Sequence, residues 1–348
     1  MTNPPEPAHG IHRLDEARLV DWLARSLPGF APPLTIRRFE GGQSNPTYLL
    51  ESGAGRHVLR KKPPGALLPS AHLIEREYRV MAALAGSAVP VPRMRLLCED
   101  TAVIGTAFYI MDHIDGRVFR DPGLAGHSPK ERAALYDAMN ATLARLHAVD
   151  WRAAGLSDFG KPVNYLGRQI DRWSRQYRAS QTEEIAAMER LTDWLPAHLP
   201  AAEEVAIAHG DYRLENLIFH PTEPVVLAVL DWELSTLGHP LADLAYNCMT
   251  YRFPAEGLAF PGLGGLDLAA LGIPAEADTV AAYCERTGRD GIPDWSFFLA
   301  FSLFRMAAIL QGVYARALQG NAASEKAAQM GGMPALLAEI AWGIAEGA

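Results

Sequence analysis

The feature that most constrains the fold of this chain is an ordered set of polar side chains divided by an apolar segment. Asn216 follows Asp211 after five residues, and Asp231 follows Asn216 after fifteen. The run Val225 to Leu230 lies between them and is apolar and partly β-branched, which predicts a buried strand. A hairpin would therefore link Asn216 to Asp231 and deliver Asp231 to the end of that strand.

These three side chains are the groups that phosphoryl transfer requires. That reaction needs a carboxylate beside the attacking hydroxyl and oxygen ligands for Mg²⁺ beside the phosphates. Asp211 would accept or orient the hydroxyl proton, and Asn216 and Asp231 would hold Mg²⁺. A single acid of this kind is more typical of a turn or a strand terminus. The ordered set favours a kinase-type site.

The same residues resemble the aminoglycoside phosphotransferase and choline kinase superfamily, which are small-molecule kinases with a protein-kinase-like fold. The catalytic loop of that family reads His-Gly-Asp-x-x-x-x-Asn, as residues 209–216 do, and Asp231-Trp232 matches its metal-binding segment. The resemblance runs from about residue 35 to residue 320. It is closest to the branch fused to acyl-CoA dehydrogenases in animals, on the segments 59–65, 76–80 and 308–316.

This resemblance implies ATP and Mg²⁺ as cofactors and Asp211 as the catalytic residue. It also implies that His209 supports the loop and that Asp243 is a structural acid behind it. The expected fold class is α+β, in a bilobal protein-kinase-like fold. A nucleotide-binding lobe at residues 1–112 and a catalytic and acceptor-binding lobe at residues 113–348 are expected.

The apolar pattern agrees with that division. Alternation predicts five antiparallel strands in the first lobe, at residues 34–40, 47–51, 56–61, 96–98 and 107–111. Helical spacing predicts helices at residues 12–27 and 71–84, and a mostly helical pattern from Lys130 onward. The first lobe is therefore expected to be a sheet with a helix packed on it.

A glycine-containing turn in the first hairpin is the candidate cover for the nucleotide phosphates. It contains Gly41, Gly42, Ser44 and Asn45. Glycines allow backbone amides to approach an anion closely. Taken alone, the segment would be interpreted as a plain hairpin turn, and its place before a basic strand favours the functional interpretation.

The third strand ends in a run of three cations. In kinases one cation at this place faces the α- and β-phosphates, and a helix acid holds it. Strand alternation puts Arg60 and Lys62 on one face and Lys61 on the other, so the residues leave the register open. The acid is Glu75 or Glu77. The family resemblance favours Arg60 and Glu77.

Met111 and His113 lie at the expected linker between the lobes. The resemblance places the adenine-binding hinge here. Backbone N–H and C=O groups would pair with the adenine edge, so the identity of the side chains carries little information.

The acceptor pocket is the least constrained part of the chain. Arg168, Arg172 and Arg175 fall on one helical face, and Arg305 lies on a later helix. A solvated basic face paired with acids is one interpretation. Recognition of an anionic acceptor is the other, because Arg suits carboxylates and phosphates. Aminoglycosides are polycations, and this region has few acids to bind them.

The expected function is ATP- and Mg²⁺-dependent transfer of the γ-phosphoryl group to a hydroxyl of a small molecule, such as a hydroxyacyl-CoA or another anionic metabolite. An aminoglycoside-type antibiotic phosphotransferase is an alternative. A nucleotide-binding pseudokinase is an alternative of another class. Retention of Asp211, Asn216, Asp231 and a cation–Glu pair argues against the pseudokinase.

The composition limits the expected binding partners and cellular location of the protein. A net charge of −8 argues against a general nucleic-acid binder. The three cysteines have no ligand-like spacing, which is typical of a cytosolic protein. The N-terminal residues lack an apolar signal core. The apolar segment Trp295 to Leu310 is short and contains Arg305, so no membrane span is expected. We expect a cytoplasmic monomer or homodimer.

Overall fold

The structure is a computed structural model. It describes residues 6–7, 14–39, 45–63, 73–256, 260–318 and 330–348. Two compact units are present. One, here called the sheet unit, contains Met1–Val118, Ala154–Leu156 and Asn216–Ser235, and the other, the helical unit, contains Phe119–Ala153, Ser157–Glu215 and Thr236–Ala348. The assignment of nucleotide and acceptor binding to lobes divided at residue 112 stays a prediction.

An antiparallel sheet forms the centre of the sheet unit, as predicted. Its strand order is β1-β2-β3-β4-β6-β5. The short strand β1 lies in a Pro-rich segment whose composition did not predict a strand. The strands are β1 (Glu6–Pro7), β2 (Thr35–Arg38), β3 (Thr47–Ser52), β4 (Gly55–Lys61), β5 (Met94–Cys98) and β6 (Phe108–Asp112).

Two α-helices belong to the described part of this unit. Helix α1 (Glu16–Ser26) begins at Asp15, whose side chain accepts a hydrogen bond from the N–H of Arg18. Its buried residues join the hydrophobic core with strand residues such as Leu59 and Phe108. Helix α2 (Ile74–Leu84) carries Glu77 among its buried residues.

The predicted hairpin after Asn216 is present. Strands β8 (Leu217–Phe219) and β9 (Val226–Val229) pair antiparallel. The N–H of Leu230 donates to the carbonyl oxygen of Asn216 at 2.8 Å. Asn216 and Asp231 therefore lie at the same end of this hairpin, as the sequence pattern predicted.

The helical unit is built mainly from helices, also as predicted. Strands β7 (Ala206–Ala208) and β10 (Thr236–Gly238) form a small antiparallel pair within it. Its helices are α3 (Pro129–His147), α4 (Tyr165–Ser180), α5 (Ala186–Ala197), α6 (Pro240–Cys248), α7 (Leu268–Leu271), α8 (Glu276–Thr287), α9 (Trp295–Leu318) and α10 (Met333–Glu346).

Helix α9 is the core helix of this unit, and the prediction that it is short was wrong. It spans Trp295–Leu318, 24 residues. Its length and hydropathy would suit a membrane span, but 83% of its most apolar window is buried inside the protein. A buried core helix can have this length and hydropathy as well, because packing against other helices requires the same apolar surface.

The contact of Gly116 with the hairpin gives a test of the fold. A Cβ atom at Gly116 would collide with the Ile218 side chain and the Phe219 carbonyl oxygen. Gly116→Ala should therefore lower the free energy of unfolding by about 1–3 kcal/mol, through overpacking. Gly343, in helix α10, has open space around its missing Cβ.

Gly343→Ala is the matched control and should raise the free energy of unfolding by up to about 1 kcal/mol, because Ala favours the helix over Gly. Urea unfolding followed by circular dichroism measures both. Equal effects of the two substitutions would contradict the described contact of residue 116.

Candidate active site

A single guanidinium group organises the charged centre of the sheet unit. Arg60 Nε lies 2.9 Å from Glu77 Oε2. Its Nη2 lies 2.7 Å from Asp231 Oδ1 and 3.9 Å from Glu233 Oε2. The ion pair predicted between Arg60 and Glu77 is present. The charges of these carboxylates raise the pKa of Arg60, although burial alone would lower it.

Glu77 is held by more than the arginine. Its side chain is only 1% exposed. Asn45 Nδ2 donates to Glu77 Oε1 at 2.7 Å, and the Tyr109 hydroxyl donates to Oε2 at 3.1 Å. Burial raises the pKa of Glu77, while Arg60 and the two donors oppose that rise. The carboxylate is thus fixed in place and can orient Arg60.

The Asn45 side-chain amide donates to Glu77, a contact that the sequence did not predict. Its expected place in the turn over the phosphates stays a prediction. The other members of that turn, Gly41, Gly42 and Ser44, lie outside the described residues.

The other two cations of the run have different surroundings. Lys61 is buried, and burial lowers its pKa. Lys62 Nζ lies 2.5 Å from Glu75 Oε1. Arg60 is therefore the member of the run that contacts Glu77 and Asp231, as the family resemblance implied.

Asp231 and Asn216 offer oxygen atoms suited to Mg²⁺. Asp231 has a left-handed backbone conformation, with φ 66°, which is uncommon for a residue other than glycine. Its Oδ1 already faces a cation, the Arg60 guanidinium. Within the described ranges no group of three or more His, Cys, Asp or Glu side chains could hold a metal. Two protein oxygens nevertheless fit Mg²⁺, which keeps several positions for water and phosphate.

The expected adenine hinge begins within strand β6. Met111 is paired in the ladder, opposite Val58. The N–H of Asp112 donates to the Arg93 carbonyl oxygen at 2.9 Å, and the N–H of His113 donates to that of Arg56 at 3.3 Å. These two N–H groups are used within the sheet unit and are not free to pair with an adenine edge.

The loop that carries Asp211 is held from behind by Asp243. The N–H groups of His209 and Gly210 both donate to the Asp243 carboxylate, at 2.5 and 2.7 Å. His147 Nε2 lies 3.4 Å from the same carboxylate. Burial would raise the pKa of Asp243, but the hydrogen bond and charge of His147 outweigh it, and the pKa is lowered. This geometry agrees with the structural role expected for Asp243.

Asp211 itself has two oriented partners. The Tyr246 hydroxyl donates to Asp211 Oδ1 at 2.6 Å, and Arg213 Nε lies 3.2 Å from the same oxygen. Burial and the neighbouring charge of Asp211 raise the pKa of Tyr246, so the phenol keeps its proton and acts as a donor. Sequence reasoning missed Tyr246. It lies one helical turn after Asp243 on α6, and that spacing could have placed it beside the loop.

Only two of the four candidate acceptor arginines come together. Arg172 and Arg305 both lie over the ring of Trp173. Arg175 Nη2 forms an exposed ion pair with Asp171 Oδ2 at 2.7 Å. Arg168 Nη2 donates to the carbonyl oxygen of Lys161 at 2.7 Å.

Comparison with known proteins agrees with this arrangement. A model of the phosphotransferase enzyme family (APH) matches residues 35–288. A crystal structure from Ralstonia eutropha, of a candidate aminoglycoside phosphotransferase, shares 52% sequence identity, with a TM-score of 0.88 over 96% of this chain and 99% of that one. Choline kinase from Cryptosporidium parvum shares the fold at 12% identity, with a TM-score of 0.62 over 93% of this chain and 94% of that one. The kinase-like fold expected from the sequence is confirmed.

Curated relatives are longer than this chain. Acyl-CoA dehydrogenase family member 10 of Mus musculus is 50% identical over 313 residues, which are 90% of this chain and 29% of the relative. Acyl-CoA dehydrogenase family member 11 of Homo sapiens is 46% identical over 321 residues, 90% of this chain and 41% of the relative. The chain spans less than half the length of these relatives, so the similarity concerns one part of each.

The buried ion pair of Arg60 predicts a large stability effect. Arg60→Ala leaves Glu77 buried without its cation, and we expect a loss of about 3–5 kcal/mol in the free energy of unfolding. Arg175→Ala is the control, because it breaks an exposed pair and should cost about 0–1 kcal/mol. Chemical denaturation measures both.

Adding Glu77→Gln to Arg60→Ala should recover part of the loss, since it removes the unpaired charge. If Arg60→Ala were as mild as Arg175→Ala, the buried pair would not be the anchor of this unit.

Proposed function

The chain belongs to the phosphotransferase enzyme family, and from that premise we propose that it transfers the γ-phosphoryl group of ATP to a hydroxyl of a small molecule, in a Mg²⁺-dependent reaction. The observation that carries this proposal is the Arg60 guanidinium, held by buried Glu77 and directed at Asp231. Phosphoryl transfer relies on positioning and charge stabilisation by such groups.

Arg60 is the proposed partner of the nucleotide phosphates. Glu77 pairs with Nε of the guanidinium, while Nη2 faces Asp231. Arg60 can therefore bind phosphate oxygens through Nη2 and stay paired with Glu77. Asn216 and Asp231 would hold Mg²⁺, which, when bound, neutralises phosphate charge as the leaving group departs. The Asn45 and Tyr109 hydrogen bonds to Glu77 keep this arrangement rigid.

Asp211 is the proposed acceptor of the proton from the attacking hydroxyl. Tyr246 and Arg213 fix its carboxylate through Oδ1. A fixed carboxylate loses little entropy on meeting the acceptor, which favours the reactive orientation. The backbone on its N-terminal side is held by Asp243, so the loop conformation does not depend on the acceptor.

The proposed acceptor is an anionic hydroxylated metabolite such as a hydroxyacyl-CoA. The names of the longer relatives, which are acyl-CoA dehydrogenases, favour an acyl-CoA. The charges around Asp211 favour an anion over a polycation. Asp211 is paired with Arg213, Asp243 is buried under the loop, and the cations Arg172 and Arg305 lie in the same unit.

A screen of candidate acceptors tests the function. Hydroxyacyl-CoAs, free hydroxy acids and kanamycin-like polycations are each incubated with ATP and Mg²⁺, and ADP release and product mass are measured. We expect phosphate esters of the anionic compounds. Rapid phosphorylation of the polycations with the others inert would support an antibiotic kinase. ATP binding with no product from any class would support a pseudokinase.

Removal of the Asp211 carboxylate should affect transfer and spare nucleotide binding. Asp211→Asn should lower kcat by roughly 10²- to 10⁴-fold, the usual contribution of a positioned proton acceptor. ATP affinity should stay near that of the native protein. Asp193→Asn, at an exposed position of α5, is the control and should keep most of the activity. Full turnover by Asp211→Asn would show that Asp211 is not the catalytic residue.

Removal of the Asp231 charge should affect the response to Mg²⁺. We expect Asp231→Asn to lose most of the Mg²⁺-dependent gain in ATP affinity, because Asp231 is the one charged ligand proposed for the metal. Calorimetric titration of ATP with and without Mg²⁺ measures the gain. Glu233→Gln, in the same acidic cluster, is the control and should keep it. An unchanged Mg²⁺ effect in Asp231→Asn would place the metal elsewhere.

A further inference from the structure

Two guanidinium groups share one aromatic ring in the helical unit. The guanidinium carbon of Arg172, on α4, lies 5.0 Å from the ring centroid of Trp173. That of Arg305, on α9, lies 5.6 Å from the same ring. Trp173 is buried, and its Nε1 donates to Gln169 Oε1 at 3.0 Å, which fixes the ring. Two guanidinium groups thus contact one buried ring, and the charge of Arg305 acts on Arg172.

Among the described residues, no carboxylate neutralises either charge, because neither Arg172 nor Arg305 forms an ion pair. Partial burial and the charge of Arg305 lower the pKa of Arg172. Some other arginines of this unit are paired with acids, as Arg252 is with Glu276. Arg305 is buried and Arg172 is exposed, so solvent screens their repulsion only in part, and a bound anion would relieve it.

Arg305 also has a donor without a partner. The residue is only 5% exposed, and its Nε is buried with no hydrogen-bond acceptor among the described residues. Its Nη2 donates to the carbonyl oxygen of Gly210 at 2.6 Å. A buried N–H without an acceptor costs about 1–3 kcal/mol, and such groups are usually satisfied by a protein group, an ordered water or a ligand.

The pair is tied to the catalytic loop. Gly210, which accepts from Arg305, immediately precedes Asp211. The guanidinium carbon of Arg305 lies 5.1 Å from the ring centroid of Tyr246, and the hydroxyl of that ring donates to Asp211. Arg305 therefore contacts the residue that precedes Asp211 and the tyrosine that donates to it.

We propose that Arg172 and Arg305 form a binding site for an oxyanion of the acceptor, a carboxylate or a phosphate, with the Trp173 ring supporting both guanidinium groups. This inference rests on the proposed function, which brings the hydroxyl of the same molecule to Asp211. Arg forms paired hydrogen bonds with planar oxyanions, and its flat group stacks on aromatic rings while it does so. Arg168 and Arg175 lie outside this site, because their side chains have other partners.

The test measures anion binding without turnover. The native protein, Arg172→Gln and Arg175→Gln are titrated calorimetrically with 3-hydroxybutyrate, coenzyme A and inorganic phosphate. Saturating ADP is present, so that coenzyme A cannot enter the nucleotide site. Arg175→Gln is the matched control, since it lies on the same helix and removes the same charge. The hydroxybutyrate arm reports carboxylate recognition, and the coenzyme A and phosphate arms report phosphate recognition.

We expect at least one probe to bind the native protein and Arg175→Gln equally. Arg172→Gln should bind it roughly 10- to 100-fold more weakly, as for the loss of a charge-assisted hydrogen bond. Binding should also weaken as salt concentration rises. Arg305→Lys, which keeps the charge but loses the planar fork, should weaken the same probe. If Arg305→Lys does not fold, the comparison of Arg172→Gln with Arg175→Gln tests the site by itself.

Equal affinities of Arg172→Gln and Arg175→Gln, or no binding of any probe to the native protein, would overturn the site. The proposed kinase activity fails in a different way. Anion binding that depends on Arg172, together with no phosphorylation of any acceptor, would leave the anion site standing and remove the kinase assignment.

Discussion

The sheet unit depends on keeping one positive charge among three negative ones. Arg60 on β4 contacts Glu77 on α2 and also Asp231 and Glu233 after β9. Glu77 is almost fully buried, so without this guanidinium its charge would have neither solvent nor a cation. A one-residue slip of β4 would replace Arg60 with Lys61 and turn the charge to the other face. The ion pairs therefore fix the strand register, the position of α2 and the start of the segment after β9 together.

In the helical unit, hydrogen bonds hold the carboxylates in place. Asp243 accepts from the backbone ahead of Asp211, and Tyr246, one turn later on α6, donates to Asp211 itself. One helix thus sets both the loop and the carboxylate that it carries. Arg172 and Arg305 differ from these compensated groups, because no carboxylate among the described residues pairs with them. A charged side chain that is paired within the protein is suited to orient another group. A pair of charges without a counter-charge is suited to bind a ligand.

Sequence alone predicted the parts of the site that local spacing determines. The strand between Asn216 and Asp231 follows from its apolar run, and strand alternation with the family resemblance predicted the pairing of Arg60 with Glu77. The sequence did not predict contacts between helices that are far apart along the chain. Arg168 and Arg175 share a helical face with Arg172, yet of these three only Arg172 stacks on the Trp173 ring that Arg305 of α9 also contacts. The crossing of two helices depends on side-chain packing along both. Asn45 was expected near phosphates, and only the fold reveals its hydrogen bond to Glu77.

We propose that these charged groups serve phosphoryl transfer and not nucleotide binding alone. The most direct measurement uses ATP labelled with ¹⁸O in the γ-phosphoryl group, incubated with Mg²⁺ and the anionic acceptors and analysed by mass spectrometry. We expect equal amounts of ADP and of a phosphate ester that carries the label. ATP bound in stoichiometric amount, with the label remaining in ATP or appearing only in inorganic phosphate, would contradict it.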